Sequence, residues 1–114
     1  MTKAAKRIYE RLRKHGYGAK DAKWVALTHE QGNAAGLSIT WELDPDGGLS
    51  EGEYSSGGPY WWVAAVDEDG KIIDALGSVD FGAGEGPSSH HTDPYQWDAE
   101  AQVLSEALHR LGAS

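Results

Sequence analysis

The sequence predicts an α+β fold with the element order α-α-β-β-β-α, in which helices pack against a three-stranded antiparallel meander. Two N-terminal segments and one C-terminal segment repeat apolar residues at the spacing of an amphipathic helix. The segments between them alternate apolar and polar residues, and turn sequences rich in Asp, Pro and Gly join them. A chain of 114 residues can bury one core, so we predict a single compact domain over residues 1–114.

The first two helices are predicted over residues 3–15 and about 19–31. The first carries apolar side chains on one face and basic side chains on the other, and Gly16 is positioned to end it. The second places His29 on its apolar face. It is predicted to end at Gly32–Asn33, because glycine and asparagine are common where helices stop.

The three strands are predicted over residues 37–43, 60–66 and 71–81. The segment from Asp67 to Gly70 is predicted to form a hairpin turn, because Asp-Gly is favoured in such turns. Gly77 is predicted to mark a bulge in the third strand. Because a lone sheet cannot close a core, we expect the C-terminal helix and one N-terminal helix to cover it.

The last helix is predicted over about residues 95–111, with either Asp93 or Asp98 as its N-terminal cap. The polar segment before it, residues 82–94, is predicted to be a loop. The core-facing stripe of this helix consists of Trp97, Ala101, Leu104, Leu108 and Leu111.

Charge is distributed unevenly along the chain, which has a formal net charge of -8. Residues 1–23 hold eight basic and two acidic groups, whereas residues 24–114 hold two basic and sixteen acidic groups. A segment this acidic repels phosphate and attracts cationic partners, although many small acidic proteins carry such charge only for solubility. We predict that the acidic part binds a positively charged protein surface.

Five tryptophans are many for a domain of this size, and exposed Trp and Tyr side chains often anchor binding interfaces. The register of the strands predicts that Trp41 and Trp62 face the core. Trp61 then points to the opposite side, where it is either part of a binding surface or buried beneath a second layer of helices. The predicted partner-binding residues are Asp44, Asp46, Glu51, Glu53, Trp61, Asp67, Glu68 and Asp69.

These features predict a small acidic binding or inhibitor protein that docks on the basic surface of a nucleic-acid-handling protein. Its character is similar to that of phage and mobile-element proteins that block nucleases or CRISPR complexes, including nucleic-acid mimics. The sequence contains no catalytic motif, so we predict no enzymatic activity and no cofactor. We expect a cytoplasmic monomer or dimer, because the chain lacks cysteines, membrane-length apolar segments and an apolar signal segment.

Two alternative functions remain open. The basic first helix could bind nucleic acid, and the order α-β-β-β-α is similar to that of double-stranded RNA-binding domains. Those domains carry a basic patch at the start of their last helix, where this chain has Asp93 and Asp98, so direct nucleic-acid binding is not expected. The second alternative is a metal-dependent enzyme that uses His90, His91 and Asp93. Adjacent histidines on an extended loop point to opposite sides, so we expect no metal site there.

Overall fold

A computed structural model of the chain describes residues 1–44, 60–79, 81, 86–87 and 93–112. Within these residues the predicted α+β class and element order are confirmed. The elements are the helices α1 (Lys3–Lys14), α2 (Ala19–Ala34) and α3 (Pro94–Arg110) and the strands β1 (Ser38–Asp44), β2 (Tyr60–Val66) and β3 (Ile72–Val79). No helix in the described ranges has both the length and the apolar character needed to cross a membrane.

The strands form one antiparallel sheet in the order β1-β2-β3. Trp41 of β1 lies opposite Val63 of β2, and Ala64 of β2 lies opposite Ala75 of β3. The predicted hairpin turn between β2 and β3 is confirmed. Gly70 has a φ of +81° in this turn, a backbone conformation that other residues rarely adopt.

The predicted bulge at Gly77 is also confirmed. From Trp61 to Val63, two residue steps of β2 face three residue steps of β3, so the extra residue falls at Gly77–Ser78. The ring of Trp62 lies against Gly77, where an added Cβ atom would be 2.8 Å from the indole. Glycine at this position therefore allows close approach of the tryptophan ring to the sheet.

Helix α3 lies between the sheet and the two N-terminal helices, so it takes part in two hydrophobic cores. The core on the sheet side consists of Leu37, Val63, Ala65, Val79, Ala99, Val103, Leu104, Ala107 and Leu108. The core on the other side consists of Leu12, Ala22, Val25, Trp97 and Ala101. The expectation that an N-terminal helix covers the sheet is wrong, because α1 and α2 pack on each other and on α3. The apolar surface of α3 extends far enough round the helix to contact both neighbours.

The N-terminal cap of α3 is Asp93, and Asp98 lies inside the helix. The Oδ1 atom of Asp93 accepts a hydrogen bond from the backbone N–H of Tyr95 at 2.8 Å. Pro94 occupies the first turn of α3, where a backbone N–H has no acceptor within the helix. The lack of an N–H in proline therefore costs no helical hydrogen bond. Leu111, which we predicted in the core stripe, is exposed because the helix ends one residue earlier.

The predicted end of α2 at Gly32–Asn33 is wrong, because the helix continues to Ala34. Gly32 is buried inside the helix, where an added Cβ atom would be 2.8 Å from a methyl group of Leu104. The C-cap is Ala35, and the left-handed residue that follows it is Gly36, whose φ is +79°. Just after it, the backbone N–H of Leu37 donates to the carbonyl of Gly32 at 2.9 Å. Gly32 thus serves the packing of α2 on α3.

The Gly32→Ala variant is expected to unfold more easily than the wild type, by about 1–3 kcal/mol, because the new methyl group overpacks the contact with Leu104. Alanine is otherwise favoured over glycine in a helix by about 1 kcal/mol. The helix propensity and the overpacking therefore act in opposite directions, and the sign of the measured change shows which of them is larger. Urea denaturation followed by circular dichroism measures it. The exposed Asn33→Ala variant is the control, with an expected change within about 0.5 kcal/mol. A Gly32→Ala variant more stable than the wild type would contradict this packing.

Candidate functional site

The three helices lie on one side of the sheet, since the side chains of Val63 and Ala65 pack against α3 and belong to its core. The opposite side is called the open face here and carries Thr40, Glu42, Trp62, Ala64 and Ala75. Trp62 lies opposite Glu42, and both side chains are exposed. None of the described helices packs on this face, although Ala64 on it is only 6% exposed.

Trp62 is the tryptophan that β2 exposes, with 44% of its surface accessible. The prediction that Trp62 faces the core is therefore wrong. Trp61 is half-buried on the helix side, where Gly86 lies against its ring, and an added Cβ at Gly86 would be 2.7 Å from the indole. Trp61 shares its face of the strand with Val63, which α3 covers. Trp61, which we predicted to contact the partner, is therefore less accessible than Trp62.

Three of the predicted acidic contacts lie together in the turn between β2 and β3. The carboxylate of Asp67 holds this turn, since its Oδ1 accepts from the backbone N–H groups of Asp69 and Lys71 at 2.9 Å each. Glu68 and Asp69 are exposed, and the Glu68 carboxylate lies beside Gly36. Glu68 thus lies against the connection between α2 and β1, and Asp69 is solvent-exposed in the turn.

The other predicted acidic contacts lie elsewhere. Asp44 ends β1 beside the start of β2, which is the opposite end of the sheet from the turn at Asp67. Six residue rises of about 3.3 Å separate these ends by about 20 Å. The remaining predicted contacts, which lie outside the described residues, are Asp46, Glu51 and Glu53.

The basic side chains of α1 lie apart from the acidic turn. All of them are exposed: Lys3, Lys6, Arg7, Arg11, Arg13 and Lys14. Within the described ranges, none of them is within ion-pair distance of a carboxylate. Because α1 packs on α2 and α3, it does not neutralise the acidic turn of the sheet. An ion pair at 3.1 Å joins Arg110 of α3 to Asp74 of β3 instead.

The most unusual buried group is Glu100 of α3, which is only 2% exposed. Its Oε2 atom accepts hydrogen bonds from Nε1 of Trp41 at 2.8 Å and from Nε2 of Gln96 at 3.2 Å. Its Oε1 atom lies 3.8 Å from Nε2 of His29. The same histidine nitrogen is 3.0 Å from the carbonyl of Trp97, to which it can donate. These contacts join β1, α2 and α3 at the boundary between the two cores.

Sequence reasoning missed this network, although it contains a signal. Gln96 and Glu100 continue the apolar positions Val103 and Ala107 at helical spacing, so two polar residues stand on a buried stripe. A polar side chain on such a stripe needs hydrogen-bond partners inside the protein. The partners come from distant segments, which the spacing within α3 does not identify.

A cleft opens above this network between α1, α2, β1 and α3. Its volume is about 460 Å³, and its lining includes Arg7, Ile8, His29, Trp97 and Glu100. A second recess of about 440 Å³ adjoins it and shares His29 and Ile8.

The second recess is closed at one end by a contact between the N-terminus and α2. There the backbone N–H of Thr2 donates to the carboxylate of Glu30. This hydrogen bond lowers the pKa of Glu30 below its usual range, because it stabilises the ionised carboxylate. The contact ties the start of the chain to the end of α2.

The predicted histidine cluster cannot be placed, since His90 and His91 lie outside the described residues. Asp93 uses its carboxylate to cap α3. Burial raises the pKa of Tyr17, and the nearby carboxylates of Asp98 and Asp93 raise it further, so the start of α3 is an anionic environment. Across the residues that the structure describes, no three His, Cys, Asp or Glu side chains are grouped so as to hold a metal ion.

Comparisons of the chain with protein-family models, with curated proteins and with solved structures found no match. The geometry defines the protein as an α+β domain of three layers. These layers are the sheet, the central helix α3 and the pair formed by α1 and α2. Two features of this domain are solvent-accessible: the open face with its exposed tryptophan, and the cleft above Glu100.

Proposed function

We propose that this protein binds a positively charged protein surface through the open face of its sheet and blocks that surface. The observation that carries the proposal is the exposed ring of Trp62 beside Glu42 on a face that no described helix covers. The basic residues of the chain lie mostly on α1 and α2, away from this face. Among the described residues, the open face therefore combines an aromatic anchor with the carboxylate of Glu42.

Trp62 has the properties of an interface anchor. Its ring is held against Gly77, and its neighbours on the open face include the small residues Ala64 and Ala75. The ring therefore leans across the sheet over Gly77, and its exposed part offers a partner an aromatic surface fixed in position. Tryptophans that a partner covers are among the residues that contribute most to binding free energy.

Glu42 on the open face and the acidic residues of the turn between β2 and β3 supply attraction at longer range. Glu42, Glu68 and Asp69 are exposed, and charges of this kind mainly raise the rate of association with a cationic partner. Proteins that handle nucleic acids carry such cationic surfaces, because they bind phosphates. We therefore propose a nuclease or a CRISPR complex as the partner class, with inhibition by steric and electrostatic blocking, as in phage anti-defence proteins.

A photo-crosslinking amino acid placed at position 62 tests the contact surface. We expect it to crosslink a basic partner protein in cells of the natural host. The matched control places the same amino acid at position 24, because Trp24 of α2 is also 44% exposed but lies on the helical side. Equal crosslinking from both positions, or crosslinking only from position 24, would contradict a role for the open face.

Charge reversal then tests the electrostatic part of the proposal with the partner so identified. The triple variant Glu42→Lys, Glu68→Lys and Asp69→Lys is expected to associate about tenfold more slowly, with a weaker dependence on salt. Asp67 stays unchanged because it holds the turn. The control is Glu106→Lys, an exposed reversal on α3. An unchanged association rate in the triple variant would refute the electrostatic role.

A second candidate function is nucleic-acid binding by α1. The observation that favours it is the row of exposed cations on this helix, which pair with no carboxylate in the described part of the chain. A gel-shift experiment with duplex DNA and RNA at physiological salt decides between the two candidates. A shift that is lost in Lys6→Gln combined with Arg11→Gln would favour this second function.

A further inference from the structure

We propose that a recess between β3 and α3, lined by Asp98, Tyr95 and Gln102, binds the side chain of an arginine on the partner protein. This inference deepens the proposed function and rests on it for the partner, whereas the recess itself can be tested with a small arginine derivative alone. Three properties of the recess carry the inference: an unpaired carboxylate, an exposed aromatic ring and a volume suited to one side chain.

The carboxylate belongs to Asp98, a half-buried residue of α3. In contrast to Glu100, it forms no hydrogen bond and no ion pair within the ranges that the structure describes. Those ranges contain all ten Lys and Arg residues of the chain, so none of these cations is paired with Asp98. A cation from another molecule can therefore form a charge-assisted hydrogen bond with this carboxylate.

The aromatic ring belongs to Tyr95, which is 49% exposed. An edge-to-face contact with Phe81, with ring centroids 5.6 Å apart, holds this ring in position. The planar guanidinium of arginine stacks on aromatic rings and attracts their electrons. Because the Tyr95 ring is already held, little of the binding free energy is lost in ordering it.

The size of the recess fits one long side chain. Its volume is about 200 Å³, whereas sites for whole small molecules commonly have about 300–1,000 Å³. The apolar part of its lining includes Leu76, Val79 and Ala99. These walls can pack against the methylene groups of an arginine while its charged end reaches Asp98.

The recess adjoins the proposed docking surface. Gly77 of β3 lines the recess, and the ring of Trp62 on the open face lies against the same glycine. A basic protein that covers Trp62 therefore has this recess within reach of its side chains. Arginine and tryptophan are both enriched among the residues that contribute most to interfaces.

Other side chains fit the recess less well. An acidic group would be repelled by Asp98, and an apolar one would remove water from this carboxylate without replacing its hydrogen bonds. A lysine can pair with Asp98, but its ammonium group has no plane to stack on Tyr95. The guanidinium has five N–H donors, so it can also donate to the side-chain oxygen of Gln102.

Titration with Nα-acetyl-arginine amide at constant ionic strength tests the proposal, with nuclear magnetic resonance as the readout. The reporters are the ring protons of Tyr95 and the side-chain amide of Gln102, which both line the recess. We expect a saturable shift with a dissociation constant on the order of 1 mM, as befits a ligand of this size.

Two related compounds identify the chemistry that is recognised. Nα-acetyl-citrulline amide has nearly the same shape but a neutral urea group, and it is expected to bind at least about tenfold more weakly. Nα-acetyl-lysine amide keeps the charge without the planar group, and it is expected to bind about threefold more weakly.

A matched pair of variants tests the role of the carboxylate. Asp98→Asn is expected to raise the dissociation constant for the arginine derivative about tenfold, because it removes the charge from the hydrogen bond. Asp21→Asn makes the same chemical change at an exposed position of α2 that does not line the recess, and it should leave binding unchanged. Circular dichroism verifies that both variants are folded.

The variant Tyr95→Leu tests the aromatic ring. It keeps an apolar side chain but removes the surface on which the guanidinium stacks, so the arginine and lysine derivatives should then bind with similar affinity. The reporter in this variant is the side-chain amide of Gln102.

Three results would overturn the proposal: no saturable shift in the folded wild type, equal affinity in Asp98→Asn and Asp21→Asn, or binding of the citrulline or lysine derivative as tight as that of the arginine derivative. The crosslinking experiment at position 62 is separate from these titrations. Failed crosslinking with intact arginine binding would refute docking by the open face and leave the recess as an arginine site. Crosslinking without arginine binding would remove the recess alone.

Discussion

The Trp97→Ala variant is expected to lose about 3–5 kcal/mol of unfolding free energy, which is a large share of the stability of a small domain. Trp97 is only 5% exposed and lies in the core that α3 forms with α1 and α2. Its removal leaves a cavity beside Leu12 and Val25, which the surrounding helices can close only in part. Urea denaturation followed by circular dichroism measures the change.

Trp24→Ala is the matched control, because it removes the same side chain from a position that is 44% exposed. Its expected cost is at most about half that of Trp97→Ala, since 44% of its surface is already in contact with water and its removal leaves no closed cavity. A similar cost for both variants would mean that the contact between α3 and the N-terminal helices contributes little to stability. A small cost for Trp97→Ala alone would lead to the same conclusion.

The second large effect is expected at Glu100. Glu100→Ala leaves the indole N–H of Trp41 and the amide N–H of Gln96 without the acceptor that the wild type provides. A buried donor without an acceptor costs about 1–3 kcal/mol, so a total loss of about 2–4 kcal/mol is expected. The loss is less than the simple sum, because the variant also avoids burying a carboxylate. The same denaturation experiment measures it.

A double-mutant cycle with Trp41→Phe tests the specific hydrogen bond. Once the indole N–H is absent, the Glu100→Ala change should cost less, with a coupling of about 1–2 kcal/mol between the two positions. Glu106→Ala, an exposed change on the same helix, should stay within about 0.5 kcal/mol of the wild type. Additive costs in the cycle would show that the indole and the carboxylate do not stabilise each other.

Signals within short stretches of sequence were sufficient to predict the helices and strands and several of their details. The Asp67–Gly70 turn, the bulge at Gly77 and the cap at Asp93 all depend on residues close together in the chain. The apolar spacing of α1 and α3 likewise lies within each segment. Such features are predictable because the interactions that cause them join residues that are close in the sequence.

Features that depend on distant contacts were missed. Both faces of β2 are apolar, so the alternation could not show whether α3 would cover Trp61 or Trp62. Gly32 has the appearance of a helix stop, and only the contact with Leu104 explains why it lies inside α2. The cleft was missed for the same reason, since it forms only where four separate elements meet around Glu100.

The central position of α3 has a consequence for the order of events during synthesis on the ribosome. This helix is the last element to emerge, yet both hydrophobic cores need its side chains. Until it emerges, the sheet and the N-terminal helices each have an apolar surface without its native cover. The nascent chain can therefore complete neither hydrophobic core before α3 has emerged.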